Sequence, residues 1–187
     1  MTEPADTAPA DTEPVDTAPA EPGTAPEADD GLHPNAVAVR RAAAMLGLSV
    51  EVRTYPAGTR TAADAAAAIG CDVGQIVKSL VFLVDGVLTM ALVSGSNQLD
   101  EAKLAAAAGG QRTSRADANQ VREATGYAIG GVPPFGHRHP LPVYVDPDLL
   151  QYQKVWAAAG TPTAVFGVHP QELLDAIGAP TADLRRG

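Results

Sequence analysis

The chain contains a single cysteine, Cys71, among its 187 residues. That excludes an intrachain disulfide framework and leaves no paired-thiol zinc pattern, which fits a reducing compartment and makes the cytoplasm the expected location. Long apolar runs are missing as well. Ile76–Val84 is interrupted by Lys78 and falls well short of the roughly 20 residues a membrane helix needs. The N-terminus opens on acids and prolines where a signal peptide has a basic and then an apolar stretch, so neither export nor membrane contact is expected. The phosphate-binding patterns G-x-x-x-x-G-K-[ST] and G-x-G-x-x-G do not occur, nor does the zinc motif H-E-x-x-H.

Lysine and arginine are absent from residues 1–30, which hold nine of the 22 acids. The other 157 residues carry thirteen acids against thirteen bases, so the net charge of −9 belongs to this segment and the body is neutral. Such a balance argues against a strongly basic nucleic-acid coat protein. Thr2–Asp11 and Thr12–Glu21 are a decapeptide repeat that differs at two positions. With six prolines and almost nothing apolar larger than alanine, residues 1–30 cannot offset their ordering entropy by burial. They are expected to form a disordered acidic tail ahead of one folded domain over residues 31–187. That length suffices to bury about 70 % of the surface its unfolded chain exposes.

Within the body, Asn35–Leu46 has helical spacing, with Gly47 as a stop, and Ser49–Tyr55 alternates as a strand does. Thr61-Ala-Ala-Asp64 has the form of a capping box, and Gly70 suits the left-handed end of the helix that follows. Ile76–Val84 and Val87–Val93 flank Asp85-Gly86, which predicts a β-hairpin with a type I′ turn. Helices are expected near Asp100–Ala108 and Asp117–Thr125, and strands over Pro142–Asp146, Lys154–Ala158 and Thr163–Val168. Pro170–Ile177 reads as a closing helix with proline in its first turn. Hairpins with irregularly interspersed helices indicate an α+β fold, a single mixed sheet with flanking helices.

Two features stand out chemically. Period-two alternation puts Lys78 on one face with Leu80, Phe82 and Val84. A lysine there either points into a pocket that compensates its charge or snorkels from the solvated start of the strand. The second feature is Thr125-Gly-Tyr-Ala-Ile-Gly-Gly-Val-Pro-Pro-Phe-Gly-His137, a loop whose glycines permit unusual backbone conformations while two prolines stiffen it. Amides at Gly130 and Gly131 are placed by this pattern to cradle a ligand oxygen. His137 and His139 do not complete a metal shell, and Cys71, without a partner base, reads as a packing thiol.

Together, Thr61–Ile69 leading into Ile76-Val-Lys78-Ser-Leu, the hairpin, the Thr125–His137 loop and Val143-Tyr-Val-Asp146 resemble the YbaK/EbsC family. This family comprises the editing domain associated with prolyl-tRNA synthetase and its free-standing relatives. The resemblance runs from about His33 to Leu184. It implies a curved mixed sheet and metal-independent, cofactor-free hydrolysis of mischarged aminoacyl-tRNA, with prolyl-tRNA synthetase as a further partner. The expected substrate is tRNA(Pro) carrying Cys, Ala or another small amino acid. Residue by residue, Lys78 matches the family's essential lysine and Gly130 and Gly131 the glycine pair facing the aminoacyl ester. Asp146, Ala158, His137 and Tyr127 are the implied substrate-binding positions. Where the Cys-tRNA branch has a serine, this chain has Val155-Trp-Ala-Ala-Ala-Gly160, a smaller and less polar wall. The alternative is a non-catalytic tRNA- or synthetase-binding module of the same fold.

Overall fold

A computed structural model describes residues 31–55 and 61–187. The acidic repeat of residues 1–30 lies outside the described residues. Among the described residues, five helices and seven strands follow in the order α1 (Pro34–Met45), β1 (Val52–Thr54), α2 (Ala62–Ile69), β2 (Val77–Val84), β3 (Val87–Ser94), α3 (Glu101–Ala107), β4 (Thr113–Arg115), α4 (Ala118–Thr125), β5 (Val143–Val145), β6 (Val155–Ala158), β7 (Ala164–Val168) and α5 (Pro170–Ile177). Short 3-10 turns at Val73–Gln75 and Pro147–Gln151 precede β2 and β6.

Local chemistry explains several boundaries. The Thr61 hydroxyl accepts from the Asp64 amide and the Asp64 carboxylate accepts from the Thr61 amide, so the expected capping box starts α2. Gly70 closes the same helix at φ +80°. Asp85 and Gly86 both have positive φ, as a type I′ turn requires, and the Asp85 carboxylate also accepts from the Gln111 and Arg112 amides. That second role ties the hairpin to the segment that becomes β4.

The sheet is mixed, as expected, but its hydrogen bonds divide it into two parts: β4-β2-β3-β5 and β1-β7-β6. Its parallel pair, β3 with β5, aligns Met90–Leu92 with Val143–Val145. The two parts meet at one parallel bridge, Ile76 to Trp156. The division has a simple cause. β3 covers one edge of β2 along its whole length, and the opposite edge is shared between two short partners, neither long enough to cover it.

Both faces of β2 and β3 are covered. Met90, Leu92 and Val145 join Val39 of α1, Phe166 of β7 and Leu173 of α5 in the larger core. On the other face Phe82, Val84, Ala91 and Val93 pack with Leu104 of α3 and Leu184. Strand β3 is therefore buried on both sides from Thr89 to Ser94, which explains its nearly unbroken apolar sequence.

Candidate active site

The candidate site forms where β2 lacks a neighbour. Gly95 donates to the Ile76 carbonyl from the β3 side, so even-numbered residues of β2 bond to β3. The main-chain groups of odd-numbered residues then turn to the opposite edge. There β4 pairs with Phe82–Val84, and β6 meets only Ile76. Between these contacts the main chain of Ser79 and Val81 faces a cavity of about 510 Å³. This size lies within the roughly 300–1,000 Å³ typical of small-molecule sites.

Residues from both faces of β2 line the cavity, from Lys78 to Phe82. Gln98, Leu99 and Glu101 enter from the β3–α3 junction, Arg115 and Ala116 from the end of β4, Val121 from α4, Ile129 and Val132 from the Gly/Pro loop, and Arg186 from the C-terminal segment. The wall is mostly apolar, with three cations and one acid. The Ser79 hydroxyl is buried and has no hydrogen-bond partner among the described residues.

Lys78 is half-buried, and its ammonium donates to the Asn97 carbonyl. Burial pushes this amine below the ordinary lysine range, while the charge of Asp146 opposes that shift. Asn97 is held from behind: its side-chain amide donates to Asp146 Oδ2 at 2.7 Å and to Asp148 Oδ2 at 2.8 Å. Asp146 is only 1 % exposed. Its carboxylate also accepts from the Ser94 amide at 3.2 Å and the Asp148 amide at 3.0 Å. Its role here is to fix Asn97 and bias Lys78.

The other expected site residues lie elsewhere. Gly131 is buried, and its amide donates to the Ala128 carbonyl at 3.0 Å, closing a turn. A Cβ at Gly131 would stand 2.8–2.9 Å from the Thr161 backbone, so this glycine allows two chain segments to touch. Gly130, at φ +87°, is exposed. The pair does not line the cavity; the residues on either side, Ile129 and Val132, do.

Tyr127 belongs to the larger core, its hydroxyl directed at the Gly136 carbonyl at 3.4 Å, and burial pushes its phenol upward. His137 Nε2 meets the Pro133 carbonyl at 2.7 Å; burial pushes the imidazole below its ordinary range, with that carbonyl opposing. Ala158 pairs with Val165 in β6–β7. None of these three lines the cavity. Cys71 is half-buried, and burial, then the Asp72 charge, pushes its thiol upward, away from reactivity. Among the described residues no group of three or more His, Cys, Asp or Glu is placed to hold a metal ion, and no helix is long and apolar enough to cross a membrane.

Sequence reasoning missed Asn97, Ser79 and Arg186. A signal for the first two existed: the polar run Ser94–Gln98 directly after an apolar strand, and a serine beside the suspect lysine.

Residues 56–176 match the family model of an aminoacyl-tRNA editing domain. A crystal structure of a candidate trans-editing enzyme for prolyl-tRNA synthetase shares 51% identity and a TM-score of 0.79, over 83% of this chain and 99% of that one. The Bacillus subtilis protein YwhH, whose name carries no activity, is 32% identical over 123 residues, covering 66% of this chain and 78% of its own. EbsC of Enterococcus faecalis, named as a candidate Cys-tRNA(Pro)/Cys-tRNA(Cys) deacylase, is 26% identical over 125 residues, 66% of this chain and 76% of its own.

Proposed function

The chain belongs to the aminoacyl-tRNA editing domain family, and from that membership we propose that it is a trans-editing deacylase, hydrolysing the ester of a mischarged tRNA. The observation that carries this reading is Lys78, a half-buried cation aimed at an Asn97 carbonyl in a cavity whose wall is otherwise largely apolar. Water adds to the ester carbonyl, the tetrahedral intermediate carries negative charge on oxygen, and its collapse breaks the bond to the terminal ribose oxygen. That oxygen leaves with a proton, giving free amino acid and uncharged tRNA.

Lys78 supplies positive charge where negative charge develops or positions the terminal nucleotide, in a site whose low polarity strengthens either effect. Main-chain polar groups of Ser79 and Val81 along the open edge of β2 supply partners for the ester and the α-amino group. Gly130 and Gly131 shape the loop that carries Ile129 and Val132 to the cavity. No side chain is assigned as nucleophile.

The substrate we propose is tRNA(Pro) carrying Cys, Ala or another small amino acid, in the cytoplasm, with prolyl-tRNA synthetase as the enzyme whose errors are removed. Support comes from the two relatives already described, the candidate trans-editing enzyme for prolyl-tRNA synthetase and EbsC. An apolar wall separates side chains by only about 1–3 kcal/mol per methylene, so a preference among small residues is the expected behaviour. Residues 31–187 are the proposed catalytic unit, with residues 1–30 outside it.

The test is to incubate wild type and Lys78→Ala with tRNA(Pro) charged separately with Cys, Ala, Ser and Pro, and to follow loss of the ester. Lysine-dependent loss of one mischarged species, with Pro-tRNA(Pro) spared, is the expected result. Loss no faster than in buffer for every species overturns the proposal.

A further inference from the structure

Positive charge is scarce in this chain, yet Lys78, Arg115 and Arg186 line one cavity with Glu101 as the only acid. Lys78 already has a partner in the Asn97 carbonyl. Arg115 and Arg186 are exposed and form no ion pair among the described residues. Arg185 differs in this respect, since its guanidinium is tied to Asp148 at 3.1 Å.

The backbone that presents Arg186 is firmly held. Leu184 is fully buried in the smaller core, and its carbonyl accepts from the Asp100 amide at 2.8 Å. Leu99 and Arg185 form an antiparallel bridge, and the Arg186 amide donates to the Gln98 carbonyl at 2.8 Å. Lys103 grips the same segment through Asp183 at 2.6 Å and the Arg185 carbonyl at 2.8 Å. These contacts anchor the base of Arg186 and leave its head unpaired at the cavity rim. The residue lies beyond the portion matched by the family model, residues 56–176.

We infer that Arg115 and Arg186 form a phosphate-binding rim that takes the phosphodiesters of a single-stranded RNA 3′ end. The inference rests on the deacylase reading for the identity of that RNA, and on the charge and anchoring of the rim for its chemistry. A guanidinium presents a planar fork that matches phosphate oxygens, and each phosphate it neutralises makes affinity depend on salt. With Lys78 below the rim, phosphates held there place the terminal ribose, and the ester it carries, over the amine.

The test measures equilibrium binding of an uncharged acceptor-stem RNA hairpin ending in CCA, over a salt series, to the full chain. Arg115→Gln and Arg186→Gln are each expected to weaken binding about 3–10-fold, and the pair about 10–100-fold. The double variant should also lower the slope of log K against log salt by roughly 1.4, two phosphates at about 0.7 each. Arg53→Gln, which does not line the cavity, is the control for loss of any one charge, and melting curves verify folding. Wild-type affinity and slope in the double variant, an equal loss in Arg53→Gln, or no wild-type binding at low salt overturns the rim. In parallel, kcat/KM is compared on mischarged tRNA and on the matching aminoacyl-adenosine, where the double variant's loss should be several-fold smaller. Hairpin binding that depends on both arginines, without hydrolysis of any charged tRNA, overturns the deacylase reading and leaves the rim standing.

Discussion

Asn97 and Asp146 are joined side chain to side chain at 2.7 Å, and the carbonyl of the same asparagine receives the Lys78 ammonium. The buried carboxylate therefore acts on the lysine both by its charge and by holding the lysine's acceptor still. Replacing it leaves the Ser94 and Asp148 amides without their acceptor and the Asn97 side chain with Asp148 alone. Asp146→Ala is expected to cost about 2–3 kcal/mol and lower Tm by roughly 5–10 °C. Asp146→Asn should be similar, because an NH2 group then faces donors. Thermal denaturation checks both, and a Tm within 2 °C or so of wild type would refute the assigned role.

Lys78→Met keeps most of the apolar stem and removes the charge. Deacylation is expected to fall about 100- to 1,000-fold, the usual consequence of losing one charge-stabilising donor at a reacting centre. Tm should change little, since burial already disfavours the charged form in the folded protein. A large drop in Tm would make Lys78 a structural residue instead.

Gly131→Ala puts a methyl group against the Thr161 backbone, which cannot step aside as a flexible side chain can. The expected cost is about 1–3 kcal/mol, with activity also reduced because Ile129 and Val132 move with the loop. Gly130→Ala meets only Pro162 side-chain carbons at 3.8 Å, so its cost comes from the positive φ alone. Urea denaturation of the two variants should rank Gly131→Ala as the more damaging.

His137 gives the fold a dependence on acid. Its folded-state pKa is held below the ordinary 6.5, so on acidification the unfolded chain takes up this proton first. Stability is then present above pH 6.5 or so and declines as pH falls from there toward the depressed folded value. His137→Gln, which retains a donor for Pro133, should flatten that decline. Urea midpoints across this pH range measure it, and identical slopes in both proteins would dismiss the effect.

In the proposed chemistry the charge on the intermediate is met by Lys78 and main-chain dipoles. Treatment with a chelator followed by dialysis is therefore expected to leave the deacylation rate unchanged. Loss of activity restored by one added divalent metal would overturn that expectation.

How much of this was legible depended on distance along the chain. The α2 capping box and the Asp85-Gly86 turn are written in four and two adjacent residues, and both formed as expected. Strand β4 was not foreseen, because Thr113-Ser114-Arg115 has no apolar alternation and exists only through pairing with Phe82–Val84. Nor does any local pattern reveal that β5 lies parallel to β3, or that the sheet divides beside Ser79. At the site, Lys78 could be singled out because a charge interrupts an apolar face. The Gly130-Gly131 loop was conspicuous for its composition, but its Gly131 amide closes a turn. Asn97 and Arg186 owe their positions to contacts that join distant segments, which single-chain periodicity does not encode.

The anchoring of residues 183–186 also bears on when the cavity is completed during synthesis. The β2–β3 hairpin closes over a two-residue turn and has all its parts as soon as it is made. The clamp between Lys103 and Asp183 joins residues 80 apart. Contacts of that span form late, after a large loop has been closed against its entropy. A nascent chain halted before Leu184 therefore carries Lys78 on a formed hairpin beside an incomplete rim, with the Leu184 slot against α3 unfilled. The domain acquires Arg186, the second arginine of the proposed rim, only after nearly all of its core has been translated.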